Sequence, residues 1–347
     1  MNKRPDTERR SAAFTLLEVL VASTIVVVMA GFLLSVMDQT ARIWSSTSAK
    51  VEQFREARTG FERVTTRLAQ ATLNTYWDYD NPTTPTRYLR QSELRFICGS
   101  APTLLGTNSS AARVTHAVFF NAPLGVTSNT NYAGLPNALN TVGYYAELAD
   151  DAGQRPAFIT NAMIPSRWRF RLMEFSQPTE SFSVYQYTSG NPGVITNAWF
   201  TADLNNTAVP KRVVAENVIA FVVTPRLAKA EELPLQTNAT QSPLAPNYSY
   251  DSTATNANPQ LNPKNQLPPV VQITMVATDE KSAVNLGLTG TAQSNIFKTS
   301  SLFTNTQNYA ADLATLETTL IASHVRYRIF TTNVHIRAAK WSREQKN

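Results

Sequence analysis

From Phe14 to Met37 the chain is a long apolar run, relieved only by the small polar residues Thr15, Ser23, Thr24 and Ser35 and by one full charge, Glu18. About 24 residues at roughly 1.5 Å rise each span some 36 Å as a helix, enough to cross a hydrocarbon core of about 30 Å. A second run of that length is absent, so the sequence predicts a membrane crossed once. Ahead of the run lie two small residues, Ala12 and Ala13, and a hydrophilic leader with Lys3, Arg4, Arg9 and Arg10. The basic leader predicts a cytoplasmic N-terminus and a body outside the inner (cytoplasmic) membrane, in a periplasm where there is one.

The order of these parts matters. A secretory signal carries its small-residue cleavage site after the apolar run; here the small residues precede it. A cut at Ala13/Phe14 would remove the leader and leave the helix on the mature chain. Phe14, Thr15, Leu16, Leu17 and Glu18 resemble the class III signal of type IV prepilins and pseudopilins, departing from it at Ala13, where Gly is usual. The resemblance implies cleavage before Phe14, N-methylation of Phe14 by a prepilin peptidase/methylase, and docking of subunits through Glu18 and the new amine. A carboxylate in a membrane helix costs about 2.5–3.5 kcal/mol near the bilayer centre. Its place in the first turn softens this, because the positive end of the helix dipole favours an anion. The plain alternative is a signal-anchor helix with an incidental Glu.

Proline is absent from Phe14 to Leu73, and apolar residues recur at Val51, Phe54, Phe61, Val64, Leu68 and Ala71. Those steps of three, four and seven predict that the transmembrane helix at 14–37 continues as an amphipathic helix over 38–73. Its other face carries Arg55, Arg58, Glu62, Arg63 and Arg67. Gly60 inside it costs about 1 kcal/mol relative to Ala.

Beyond residue 74 the period becomes two. Strands are predicted around Leu94–Cys98, Val114–Phe120, Tyr144–Leu148, Arg167–Phe175, Val213–Val223, Val270–Ala277 and Val325–Ile329, with Val334–Ala338 pairing back as a last strand. A short helix is predicted at Tyr309–Ser323. Strands joined by turns point to an antiparallel sheet with one face on the N-terminal helix and the other in solvent. The expected class is α+β, and the resemblance selects a pilin-like layout within it. Residues 226–269, rich in Pro, Asn, Thr, Ser and Gln, read as a disordered insertion in the 74–347 domain.

Net charge is +6, and the leader's basic residues exceed Asp6 and Glu8 by two, so cleavage leaves +4. The single cysteine, Cys98, excludes an internal disulfide. P-loop, GxSxG and HExxH patterns are absent, and His116, His324 and His335 lie far apart, so catalysis is not expected. No cofactor is expected either. Asp78 with Asp80, and Glu147 with Asp150 and Asp151, are loop acids that hard cations accept, though their spacing is not diagnostic. Cys98 reads as a buried small hydrophobe. Arg167, Arg169 and Arg171 on one strand and Arg326 and Arg328 on another form a candidate stripe for nucleic acid or another polyanion; the bland reading is a solvated sheet face.

The layout resembles a minor pseudopilin of the type II secretion J class. AKVEQFREARTGFERVTTRLAQATLNTYWDYD, RQSELRFICG and YRIFTTNVHIRAAKW resemble the Verru_Chthon cassette protein C family. These resemblances imply a membrane-anchored subunit whose partners are the peptidase/methylase, other pilin-like subunits and inner-membrane lipid. The alternatives are a membrane-tethered binding module or adhesin, and an anchored enzyme with an unrecognised site.

Overall fold

A long helix, α1 (Leu16–Leu68), begins the computed structural model, which describes residues 15–106, 111–156, 158, 165–189, 194–204, 211–229 and 244–342. Contacts divide the chain into two compact units, Met1–Glu52 and Gln53–Asn347. The architecture is α+β: a long apolar N-terminal helix followed by an antiparallel β domain, in a pilin-like layout.

Within the second unit, the last turns of α1 bury Phe61, Val64 and Leu68 of the predicted apolar face, together with Ala57, while Phe54 is half-buried and the Val51 side chain lies outside the described residues. Gly60 serves a close approach: a Cβ there would meet the Val214 carbonyl oxygen at 2.9 Å. The helix stops at Leu68, short of the predicted residue 73, because tertiary bonding takes over. The Thr72 amide donates to the Asn121 carbonyl at 2.8 Å, while Ala71 and Leu73 stay buried.

Next come a hairpin of β1 (Tyr76–Tyr79) and β2 (Tyr88–Gln91), then β3 (Ile97–Ser100) and the short α2 (Ala101–Leu105). Two long strands follow, β4 (Ala111–Pro123) and β5 (Leu139–Ala149), then β6 (Arg169–Gln177). A small pair, β7 (Thr188–Ser189) and β8 (Val194–Ile195), precedes α3 (Ala198–Leu204). The chain closes with β9 (Lys211–Glu216), β10 (Val218–Arg226), β11 (Tyr250–Asp251), β12 (Val270–Thr278), α4 (Glu280–Asn285), α5 (Tyr309–Ala322) and β13 (Tyr327–His335). One six-stranded sheet has the order β11-β3-β4-β5-β6-β9 and a three-stranded sheet the order β10-β12-β13, both antiparallel.

The six-stranded sheet is covered on both faces, against the expectation of a solvated side; every residue of β6 is buried. On one face Phe119 stacks on Phe200 of α3 at 4.0 Å and meets Phe175. Phe119 also lies across its cross-strand partner Gly143, where a Cβ would collide with the ring carbons Cδ1 and Cε1. On the other face Tyr144 and Glu174 meet Arg63 and Arg67 of α1.

The predicted strand Val213–Val223 is two strands in different sheets. Asn217, at φ +58°, takes the left-handed backbone that Asn tolerates and divides β9 from β10. Conversely, the two strands expected at the C-terminal end are one, β13, because the β-branched run Thr331–Thr332 offers no turn. The expected disordered insertion at 226–269 is corrected from Leu244 onward; residues 230–243 lie outside the described residues. Leu244, Ala245, Tyr248, Tyr250, Leu261 and Leu267 enter the core, and β11 completes the larger sheet. Its asparagines shape turns rather than solvate a loose chain: the side chains of Asn256, Asn258 and Asn262 accept amides two residues ahead of them.

Candidate functional site

The N-terminal helix is the candidate site, and the first unit presents it without cover. Leu16–Ser45 has a mean hydropathy of 2.6 and none of it is buried. Val26, Val27 and Val28 are 64%, 70% and 71% exposed. Three consecutive helical positions point in three directions, so the helix is apolar all round and requires apolar surroundings on every side. Its hydroxyls are satisfied from within: Thr24 Oγ1 donates to the Leu20 carbonyl at 2.9 Å and Thr40 Oγ1 to Val36 at 2.7 Å. Full charge returns with the Asp38–Arg42 pair, 2.7 Å apart, and Trp44 follows on the exposed surface.

Ala13 and Phe14 lie outside the described residues. Glu18 is exposed in the first turn of α1, where its amide donates to Thr15 Oγ1 at 3.3 Å and its carboxylate accepts from Thr15 Oγ1 at 3.4 Å. Thr15-Leu16-Leu17-Glu18 is therefore also a capping-box pattern. The sequence reading missed that second role. The signal was present in the Thr-x-x-Glu spacing.

The arginine stripe does not form. Arg169 and Arg171 are buried. Arg169 pairs with Glu280 at 2.7 Å, and Arg171 donates to the carbonyls of Ala149 and Asp150 at 3.1 and 2.7 Å. Arg167 stays exposed beside Asp151 at 3.5 Å. Arg328 on β13 of the other sheet and Arg326 just before that strand are exposed, Arg328 lying over the Phe330 ring. Alternation misled here because both faces of β6 are covered and long-range partners neutralise its arginines.

Acids proposed as cation ligands have protein partners. Asp80 accepts amides of Asn81, Thr86 and Arg87, and Asp78 that of Tyr79. Asp151 is held by Arg155 and Arg167, and Asp150 accepts the Ala152 amide. Glu147 is largely buried, which raises its pKa against the pull of Arg113 and Arg171. Among the described residues no three His, Cys, Asp or Glu side chains converge as a metal site. Cys98 is buried, and burial pushes its thiol far above the usual range. His324 occupies the turn after α5 and His335 the exposed end of β13.

His116 has a structural task. A bulge at Thr115, φ +54°, turns Thr115 and His116 toward β10, the edge of the smaller sheet. The Phe221 amide donates to Thr115 Oγ1 at 3.0 Å and the Val223 amide to His116 Nδ1 at 3.1 Å. Because Nδ1 accepts, Nε2 carries the proton and donates to the Phe303 carbonyl at 3.0 Å. Burial lowers the His116 pKa from 6.5 to about 4. The folded state then binds fewer protons than the unfolded state. Its stabilising contribution is complete above about pH 6.5 and falls away as the pH drops toward 4, by about 3 kcal/mol in total. Denaturant unfolding of wild type and His116→Gln between pH 7 and pH 4 checks this: the variant should lose that part of the acid sensitivity, and equal slopes would refute it.

The comparisons with known proteins leave the chain on its own evidence: no protein-family model, no curated protein and no solved structure matches it.

Proposed function

We propose that the chain is a prepilin-like subunit, cut between Ala13 and Phe14, N-methylated at Phe14 and anchored in the inner membrane with its N-terminus cytoplasmic. Its helix then assembles with other pilin-like subunits into a pilus- or pseudopilus-like structure. The large β domain suits a minor component better than the main repeating subunit. One observation carries the reading: an uncovered helix, apolar all round, starts directly behind Phe14-Thr15 and bears Glu18 as the acid of its first turn. Such a helix needs lipid before assembly and the apolar flanks of like helices after it. In this role Phe14 is the substrate of the peptidase/methylase, Glu18 pairs with the amine of a neighbour, and the β domain performs no catalysis.

Mass spectrometry of the mature chain is the test. The expected N-terminus is N-methylated Phe14. A retained Met1, or a cut behind Met37, refutes the reading.

The second reading is a membrane-tethered binding module. Its arginine-stripe form loses Arg169 and Arg171 to burial. What favours the reading now is a separate aromatic surface on the β1–β2 hairpin.

A further inference from the structure

The β1–β2 hairpin belongs to neither sheet of the β domain. Its register pairs Trp77 with Arg90 and Tyr79 with Tyr88. Cross-strand partners share a face, as do residues two apart, so these four side chains lie on one face of the ribbon. Asp78 falls on the other. Rings are seldom spent this way: Trp77 is 65% exposed and Tyr88 61%. Tyr79 and Tyr88 stack at 4.8 Å and join through their hydroxyls at 3.1 Å. The Arg90 guanidinium sits 5.6 Å from the centre of the Trp77 ring.

Arg90 is the second observation. It donates to Gln266 Oε1 at 3.2 Å and to the Lys340 carbonyl at 2.6 Å, both neutral. Among the described residues no carboxylate forms an ion pair with it. A cavity of about 310 Å³ opens beside it, lined by Asn74, Asn265 and Lys340 together with the apolar Leu73, Leu267 and Ala338. Exposed rings thus adjoin a half-buried cation and an exposed lysine.

We propose that this face binds single-stranded nucleic acid, with bases stacking on Trp77 and the Tyr79–Tyr88 pair and phosphates meeting Arg90 and Lys340. Aromatic platforms beside a basic groove are the general means of holding a single strand without reading its sequence. A duplex hides its base faces and would leave the rings unused. An acidic peptide would satisfy the cations but not three exposed rings. The proposal does not depend on processing at Phe14.

The test uses the full chain in detergent micelles and a fluorescent oligothymidylate of about 20 nucleotides. Binding is expected at low salt, with tryptophan fluorescence quenched. Trp77→Ala and Tyr88→Ala should each weaken it by about 5- to 150-fold, the range of one lost stacking contact. Trp77→Phe should keep most of the affinity while losing quench. Lys340→Gln should weaken binding and lower its salt dependence. These residues are on the surface, and an unchanged circular dichroism spectrum establishes that each variant is folded. Absence of binding by the wild type, unchanged affinity in Trp77→Ala, or equal or tighter binding of duplex DNA, polygalacturonate or polyglutamate would overturn the proposal.

Discussion

Glu174→Ala is expected to destabilise the β domain by about 3–5 kcal/mol, the range for breaking a buried ion pair from one side. The carboxylate is almost fully buried, with a side-chain exposure of 1%. Oε1 lies 2.7 Å from Arg63 Nη2 and 2.9 Å from Arg67 Nη1. Oε2 accepts from Arg63 Nε and from the Tyr144 hydroxyl, both at 2.9 Å. Alanine would leave two guanidinium groups without their counter-ion and a buried phenol without its acceptor. Arg63 is 41% exposed and can turn to water, which places the loss toward the lower end. Arg67, at 21%, has less recourse. The change should lower the thermal midpoint by roughly 10 °C. Arg63→Met should cost clearly less, since it leaves Glu174 paired with Arg67. Thermal unfolding followed by near-ultraviolet circular dichroism measures both, and a Glu174→Ala loss below about 1 kcal/mol would show that the cluster does not hold α1 to the sheet.

That cluster marks the boundary of what the sequence disclosed. The helical face of Phe61, Val64 and Leu68 was legible from its 3.6-residue spacing, because a helix buries one stripe and exposes the rest. The strands at Val114, Tyr144, Arg167 and Val270 were legible from their alternation. Their surroundings were not. Alternation tells which residues share a face; it cannot tell that a second layer covers the other face. Hence Arg169 and Arg171 read as solvated, although Arg169 pairs with Glu280 and Arg171 with the carbonyls of Ala149 and Asp150 at the end of β5. Glu174 gave a usable signal. It continues the apolar phase of Trp168, Phe170 and Leu172, so an acid was due to be buried, and α1 offered two arginines four residues apart. In the 244–269 segment, composition hid the anchors. Tyr248, Tyr250, Leu261 and Leu267 are few against many polar residues, yet each reaches the core. At the N-terminal site, Glu18 was singled out directly; only its bonds to Thr15 were added.

Glu18→Ala is expected to leave cleavage and membrane insertion intact and to abolish incorporation into assembled fibres. Two effects of opposite sign make the outcome informative. Removing a carboxylate from a membrane helix saves up to about 2.5–3.5 kcal/mol on insertion, so the variant should reside in the membrane at least as well as the wild type. The Thr15 cap survives the change, because Thr15 Oγ1 accepts the backbone amide of residue 18; only the 3.4 Å bond from Thr15 Oγ1 to the Glu18 carboxylate is lost. A purely local role for Glu18 therefore predicts nearly normal behaviour throughout. The docking role predicts an anchored but unassembled subunit, because no other acid lies between Leu16 and Met37 to meet the amine of a neighbouring Phe14. Glu18→Gln separates the two further: the amide can still bond Thr15 but cannot pair as an anion. Fractionation into membrane and sheared-fibre pools, with the N-terminal mass read in each, distinguishes the cases. Wild-type amounts of both variants in the fibre pool would reduce Glu18 to a helix cap.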